Sequence, residues 1–493
     1  MNMDFTAFPA ELRLSIIEMV ADSLTGRTIE YATVAREWQP IFEKRHFERI
    51  LLSPARLNSF SQIVQGSRRK LVKHIWLRTE LGASYNDRNN AGFRPNQGVA
   101  DESDFNNAIE GLLRILSTWD RSSDLNAEGL TLELSAWSLR DYEHGFRHQR
   151  FVHDPYSEPH KDLAFPPLEF RNLLSLLMFD LISPEEAASS RSNNDLAMKT
   201  LGLTIEDAPE VDVVTKFLLR RQYYSHISPD RIAQIFKRLT GLQQIIYEPP
   251  EKIGGTTGLD RERDHWLLSD YSPPQTLRQL SIFEDPFHHN ALMARNQLGS
   301  ANSLGIAMAL FGKSRNLEHL SASFVVDAKD FFQPFWPSTL TSTSHSWDNL
   351  ETIALTSSLL DPGQSSAEVN DLLYAAGMAA RNMPALRVME IWDGLGTTYS
   401  GFFRYHSDGY GSTITWRGTW ELDLEPRVIQ CWTETVRKNT HHLTVGVRDM
   451  ELPFDGTSFP ASVLRHLKLK ERIVHPVSFC QLQLLGEPKR YHL

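Results

Sequence analysis

Four histidines and three carboxylates crowd one stretch of the chain: His144, His148, His153 and His160 beside Asp141, Glu143 and Asp154. Imidazole nitrogens and carboxylates are zinc ligands, and His144 and His148, four residues apart, would share one face of a helix. Gly145, Pro155 and Pro159 interrupt that stretch, so it reads as a polar loop rather than a metal-holding helix. No His-Glu-x-x-His, Cys-x-x-Cys, Gly-x-Ser-x-Gly or Gly-x-x-x-x-Gly-Lys-Ser/Thr pattern occurs. Lys252-Ile253-Gly254-Gly255-Thr256-Thr257-Gly258 lacks the Lys-Ser/Thr ending that cradles phosphate and reads as a flexible turn. His288-His289 and His441-His442 read as surface or packing histidines. No nucleophile, base and orienter assemble from the sequence, so no catalytic residue, metal or cofactor is expected. An enzymatic site in the aromatic 394–424 zone or the histidine-rich loop stays open as an alternative.

The elements that would position any site come from 493 residues, more than a single core usually serves, so more than one structural unit is expected. Apolar residues make up 41% and charged residues 23%, the balance of a soluble globular protein. No apolar run reaches the roughly eighteen residues of a membrane span, and no basic segment precedes an apolar leader. Cys431 and Cys480 are the only cysteines. They are too few for a disulfide framework and suit a reducing compartment, the cytoplasm or nucleus. Net charge is −10. Arg68-Arg69-Lys70 with Lys73 and His74 is the clearest basic cluster, short and set between apolar segments. It reads as a solvated helix end, which argues against a nucleic-acid partner.

Pro9 opens a helix in which Leu12, Ile16, Ile17 and Val20 form one apolar stripe. Thr25-Gly26 breaks it. A second short helix is expected over 29–38, a third over 40–51 and a fourth from Pro54 to Gly66. The division is residues 1–52 as a helical module, 53–70 as a connecting helix and 71–493 as the remainder. Phe8-Pro9-Ala10-Glu11-Leu12 followed by Ile16 resembles the opening of an F-box, usually Leu-Pro-x-Glu-apolar. Val34-Ala35-Arg36-Glu37-Trp38 resembles its second half, and Phe47 and Ile50 match its third helix. Phe8 replaces the usual Leu, and Ala35 stands where many members have Cys. The resemblance spans residues 5–52. It implies a Skp-family adaptor docked by Phe8, Pro9, Leu12, Ile16, Val34, Trp38 and Phe47, some of which also pack the module's own core. An ordinary helical hairpin capping a repeat domain is the alternative.

After Val72 the phrase apolar-x-x-apolar-x-apolar recurs, starting at Met198, Leu242, Leu277, Leu317, Leu350, Leu386 and Leu464, with weaker matches at Val72 and Ala127. From Leu242 to Leu386 the starts advance by 35, 40, 33 and 36 residues, with helical stretches such as 303–310 and 369–383 between them. Each unit reads as strand, loop and helix, and stacked units make a parallel sheet lined by helices. The pattern resembles a leucine-rich-repeat horseshoe. Its units are longer than the family's, and Asp285 stands where an Asn would follow the strand that starts at Leu277. The predicted fold class is α/β: a three-helix F-box-like module followed by an irregular leucine-rich-repeat-like α/β solenoid, with insertions at 83–107, 141–167 and 394–424. A plain α/β domain with recurrent leucines is the alternative. Pro426 starts a helix through Val436 with Val428, Cys431, Trp432 and Val436 inward. The order of a strand-like Ile414-Thr415-Trp416 and this helix resembles the C-terminal region of uncharacterised fungal F-box-like proteins.

Alternate residues of a strand face opposite sides, so each phrase offers one apolar face and one other face. On the second face the sequence places Glu248, Gln279, Ser281, Phe283, His319, Ser321, Glu390 and Trp392, polar groups with two aromatic anchors, as the target-binding set. Packing of Phe283 and Trp392 under another segment is the competing expectation. The F-box resemblance then implies the substrate-recognition subunit of an SCF-type cullin-RING ubiquitin ligase. Its partners would be the adaptor, the cullin scaffold and a protein target, with no membrane or nucleic acid. A non-degradative interaction scaffold carrying an F-box-like cap is the alternative.

Overall fold

The structure is a computed structural model. It describes residues 8–24, 29–81, 95–124, 129–138, 207–220, 229–248, 273–284, 301–338, 345–394, 399–440, 446–451 and 460–486, with Phe5 and Ile205. The histidine-rich 141–167 stretch, the Met198 phrase, the Gly254 turn, Asp285, His288-His289 and His441-His442 lie outside the described residues.

Twelve strands form one open sheet in chain order. They are β1 (Arg49–Leu52), β2 (His74–Leu81), β3 (Leu130–Ser138), β4 (Val214–Leu219), β5 (Gln244–Tyr247), β6 (Gln279–Phe283), β7 (His319–Asp327), β8 (Thr352–Thr356), β9 (Val388–Asp393), β10 (Gly401–Ser407), β11 (Ser412–Gly418) and β12 (Gly446–Glu451). Pairing is parallel from β1 to β9. It is antiparallel for β9–β10 and β10–β11, and parallel again for β11–β12. The architecture is therefore mixed α/β with a large open sheet.

The register explains why these strands form. Ile75, Leu132, Phe217, Ile245, Leu280, Leu320, Ile353 and Met389 are successive partners across eight strands, followed by Tyr405 and Ile414. All are buried in one continuous core. Against this face pack α3 (Leu57–Ile63), α4 (Pro95–Leu116), α5 (Pro229–Arg238), α6 (Ala301–Lys313), α7 (Ser366–Ala380) and α8 (Pro426–Thr440), through residues such as Phe60, Leu112, Phe236, Leu310, Leu373 and Trp432. Trp432 stacks on Tyr405 with centroids 4.9 Å apart and donates to the Leu373 carbonyl at 3.1 Å. Gly377 permits this: a Cβ there would lie 3.0 Å from Cys431 Sγ.

Several expectations are corrected. Residues 29–38 hold only a 3-10 turn, Ile29–Thr33, before the next helix. The third helix stops at Glu48, because the chain becomes strand β1 at Arg49, and the sheet so begins before residue 52. The 53–70 helix is Leu57–Ile63 between two 3-10 turns. Part of the 83–107 surface loop is the start of a 22-residue helix. The irregular zone at 394–424 holds the regular β10–β11 hairpin, whose Phe403, Tyr405, Ile414 and Trp416 fill the core. The last phrase, from Leu464 to Leu469, is not a strand. It joins α9 (Pro460–Leu464) to α10 (Lys470–Ile473), with α11 (Pro476–Gly486) after it.

Gly129 precedes β3 with φ +74°, and a Cβ there would sit 2.1 Å from Thr215 Oγ1 on the next strand. Gly129→Ala is expected to lower the thermal midpoint, the left-handed backbone alone costing about 1–2 kcal/mol. Gly305→Ala, in open space on α6, is expected to leave it unchanged or raise it. Thermal melts of the two variants beside the parent check this.

Candidate functional site

The N-terminal module begins with α1 (Ala10–Ser23), preceded by Pro9 at φ −54°. Ile17 and Ala21 turn inward to meet Phe42 of α2 (Gln39–Glu48), with Leu24, Ala32, Trp38 and Ile41 around them. Trp38 and Phe42 stack nearly flat, centroids 5.6 Å apart and planes 7° apart. Arg13 pairs with Glu37 at 2.8 Å, and Arg45 reaches the Ala21 carbonyl and Asp22. This small core leaves Leu12 51% and Val34 61% exposed, with Leu14, Met19 and Tyr31 also outward. Pro9 is exposed, while Phe8, Ile16 and Trp38 are half-buried. Phe47 is spent on packing: it lies in the main core, with the Arg68 guanidinium 5.3 Å from its ring centroid. Leu14, Met19 and Tyr31 were not singled out in the sequence. Their signal is that each is a large apolar side chain lying off the buried stripe.

The second surface is the sheet face opposite the helices. Ser281, Ser321, Ala354, Glu390 and Arg404 are successive partners there. Three small residues on β6, β7 and β8 leave a shallow trough between larger neighbours. The residues 460–486 lie in it. Leu464, Leu467, Leu469, Ile473 and Val474 pack on Phe283, Phe324, Trp392 and Phe402, a cluster separate from the main core. Phe324 reaches this face because its φ is +62°, breaking the alternation of β7, and its N–H donates to Thr356 Oγ1 at 2.7 Å.

Two buried carboxylates anchor the segment. Glu390 accepts from the Lys468 and Leu469 amides at 2.9 and 3.0 Å and from Arg404 Nε at 2.5 Å. Glu248, one residue past β5, accepts from the His475 amide and the Ser478 hydroxyl, both at 2.5 Å. Glu248 thus sits at the start of α11, where amides lack partners and the helix dipole favours negative charge, and Glu390 holds two amides of the turn before α10. Ser281 Oγ donates to the Arg472 carbonyl at 2.6 Å. His319 is half-buried, 2.9 Å from Thr352 Oγ1, with its pKa pushed down to about 4 by desolvation and by the Arg472 guanidinium. Of the target-binding set, the structure therefore brings Glu248, Ser281, Phe283, Glu390 and Trp392 directly under the chain's own C-terminal segment. Gln279, His319 and Ser321 lie beside them on β6 and β7. Phe324 and Arg404 were missed, since neither a bulge nor a cross-strand ion pair has a spacing signature.

Towards β1 the same face carries a charge cluster that the sequence reading missed. Glu133 on β3 meets Arg220 through two contacts at 2.5 and 2.6 Å, His74 at 2.8 Å and Arg49 at 3.5 Å. Trp76 lies under the Arg220 guanidinium at 4.9 Å and donates to Ser135 Oγ at 2.8 Å. Its signal in the sequence was a Glu between Leu132 and Leu134, as Glu390 stands between Met389 and Ile391 on β9.

Residues 272–475 match the model of a family of unknown function (DUF6546). That span runs from β6 through the hairpin and ends within the C-terminal segment, so it contains both the trough and most of what fills it. No curated protein matches the chain.

Among the described residues no group of three or more His, Cys, Asp or Glu is arranged to hold a metal, and no helix is long and apolar enough to cross a membrane. Cys431 is buried, and burial pushes its thiol up to about 11, away from the range of a nucleophile.

Burial alone would raise the Glu133 carboxyl. The Arg220 charge, the His74 contact and the Arg49 charge outweigh it and hold the group down to about 2, against an ordinary 4.5. A depressed carboxylate contributes stability that is complete above its unfolded value and lost as pH falls from about 4.5 towards 2, here on the order of 3 kcal/mol. Glu133→Gln is expected to destabilise the chain at neutral pH, since it leaves buried cations facing an amide. The gap to the parent should narrow through that acid window. Thermal midpoints measured from pH 7 to pH 2.5 check this, and a constant gap would contradict it.

Proposed function

We propose that this chain is the substrate-recognition subunit of an SCF-type cullin-RING ubiquitin ligase. The N-terminal helices dock a Skp-family adaptor. The strand array, read as an irregular leucine-rich-repeat-like solenoid, uses the face opposite its helices for a protein target. Such a subunit makes and breaks no bonds. It holds a lysine-bearing target near a ubiquitin-charged enzyme and so raises their effective concentration. The assembly would work in the cytoplasm or nucleus.

One observation carries the reading. Of the nine large hydrophobic side chains left exposed among the described residues, five fall between residues 12 and 34: Leu12, Leu14, Met19, Tyr31 and Val34. The module has its own small core in Ile17, Ala21 and Phe42, on which the Tyr31 ring stacks at 5.3 Å from Phe42, so Leu12, Leu14, Met19 and Val34 are surplus to its packing. A concentration of exposed apolar side chains on a small module is the mark of a protein-binding surface. Leu12 and Val34 are also positions at which the sequence resembles an F-box.

Leu12→Asp with Val34→Asp is expected to abolish capture of the adaptor while leaving thermal stability within about 0.5 kcal/mol, because both side chains are exposed. Copurification of tagged full-length chain with adaptor and cullin measures it. Capture of the adaptor without cullin favours the non-degradative scaffold. Absence of adaptor from the unmodified chain sinks the ligase reading.

A further inference from the structure

We infer that the sheet face is a receptor for a leucine-rich helical segment, and that residues 460–486 are the chain's internal copy of that ligand, displaced when a target binds. The inference rests on the reading of this face as the target surface and says which chemistry the target must bring.

Three observations on different levels support it. The first is chemical. Glu390 accepts from the Lys468 and Leu469 amides and Glu248 from the His475 amide, backbone groups that any segment possesses, and the Ser478 hydroxyl adds one side-chain contact to Glu248. The second is steric. Ser281, Ser321 and Ala354 stand in register on three neighbouring strands. At about 4.8 Å between strands, the gap they leave accommodates a helical turn about 10 Å across. The third concerns what holds the segment. Its cluster with Phe283, Phe324 and Trp392 is separate from the helix-side core. Among the described residues every backbone–backbone bond of 460–486 is local, and those reaching the sheet run through side chains. The segment can therefore leave without breaking a rung of the ladder. Bare, the face would expose several aromatic rings to water, so release is favourable only when another apolar helix takes its place. A matching ligand places leucines or isoleucines on one helix face and leaves its first-turn amides uncapped.

Hydrogen exchange on the full chain tests this. Amides of 463–482 are expected to exchange through an opening of their own, at least about tenfold faster than those of β8 and β9. Glu248→Gln, one residue past β5, is expected to speed the segment by a further factor of roughly ten, leaving β8 and β9 unchanged. In a second arm, a labelled synthetic peptide of residues 460–486 is titrated by fluorescence anisotropy. It is expected to bind the Leu467→Asp chain at least about tenfold more tightly than the unmodified chain, whose face is already filled. The inference is overturned if segment and strands open at one common rate, if Leu467→Asp strips protection from β8 and β9, or if the peptide binds neither chain. Adaptor copurification depends on the N-terminal helices alone. A failure here leaves that result untouched, and loss of adaptor capture leaves these exchange rates untouched.

Discussion

The structure depends on one constraint: in a parallel ladder kept in register, period-two alternation must put every strand's apolar residues on the same side. A slip of one residue in any strand would send its apolar set to the wrong face. Here the column from Ile75 to Met389 crosses eight strands without a break. That column gives the helices a continuous surface to cover. It also hands the opposite face a different composition, because residues there are released from the demand to be large and apolar. Ser281, Ser321 and Ala354 are the result, and the trough follows from the register rather than from any local motif.

The same constraint decides how much was legible in the sequence. The phrases at Leu242, Leu277, Leu317, Leu350 and Leu386, and the weaker ones at Val72 and Ala127, all correspond to strands, because each carries apolar residues at the alternation of a strand. The chain's other strands were harder. β1 is four residues long and follows a helix directly, so Ile50 and Leu51 carry either period equally well. The 394–424 zone looked irregular because its aromatics obscure the alternation. Yet Phe403, Tyr405, Ile414 and Trp416 are inward residues of an ordinary hairpin. The Leu464 phrase shows the converse failure. Leucines at i, i+3 and i+5 fit a strand phrase, but Pro460 and Pro476 begin helices on either side, and tertiary packing took Leu464, Leu467 and Leu469 for the opposite face. For the candidate site, alternation placed the outward residues correctly. It could not show that something from 70 or more residues away would cover them.

Charge on the open face is also organised by register. Glu390 on β9 faces Arg404 on β10 as a direct cross-strand pair, which the antiparallel turn makes possible. Arg404 then reaches the His466 carbonyl, so the hairpin that ends the parallel array also supplies one anchor of the C-terminal segment. At the other end, Glu133 gathers Arg49 from β1, the His74 imidazole from β2 and Arg220 from the residue after β4. Buried ions of this kind add little net stability when fully paired, and removing one partner is costly. They fix strand neighbours in place. Their position on the non-helix face explains how charged groups come to be buried at both ends of it.

The N-terminal module differs in kind from the rest. Elsewhere exposed large hydrophobics are scattered singly, as with Ile63, Leu304 and Tyr410. In the module they are concentrated, although Ile17, Ala21 and Phe42 show that its interior is already closed. It is tied to the sheet through Phe47 in the main core, through Arg68 to Glu43 at 2.8 Å and through Lys73 to Glu48 at 3.0 Å. Those contacts lie on α2 and leave α1 outermost. If the exposed patch served only to cap the sheet, it would be the α1 side chains that met the strands, and Leu12 and Val34 would be buried. They are exposed instead. The covered trough and the uncovered side chains thus differ in one respect: on the sheet the chain supplies its own apolar partner, and on the module Leu12 and Val34 stay exposed.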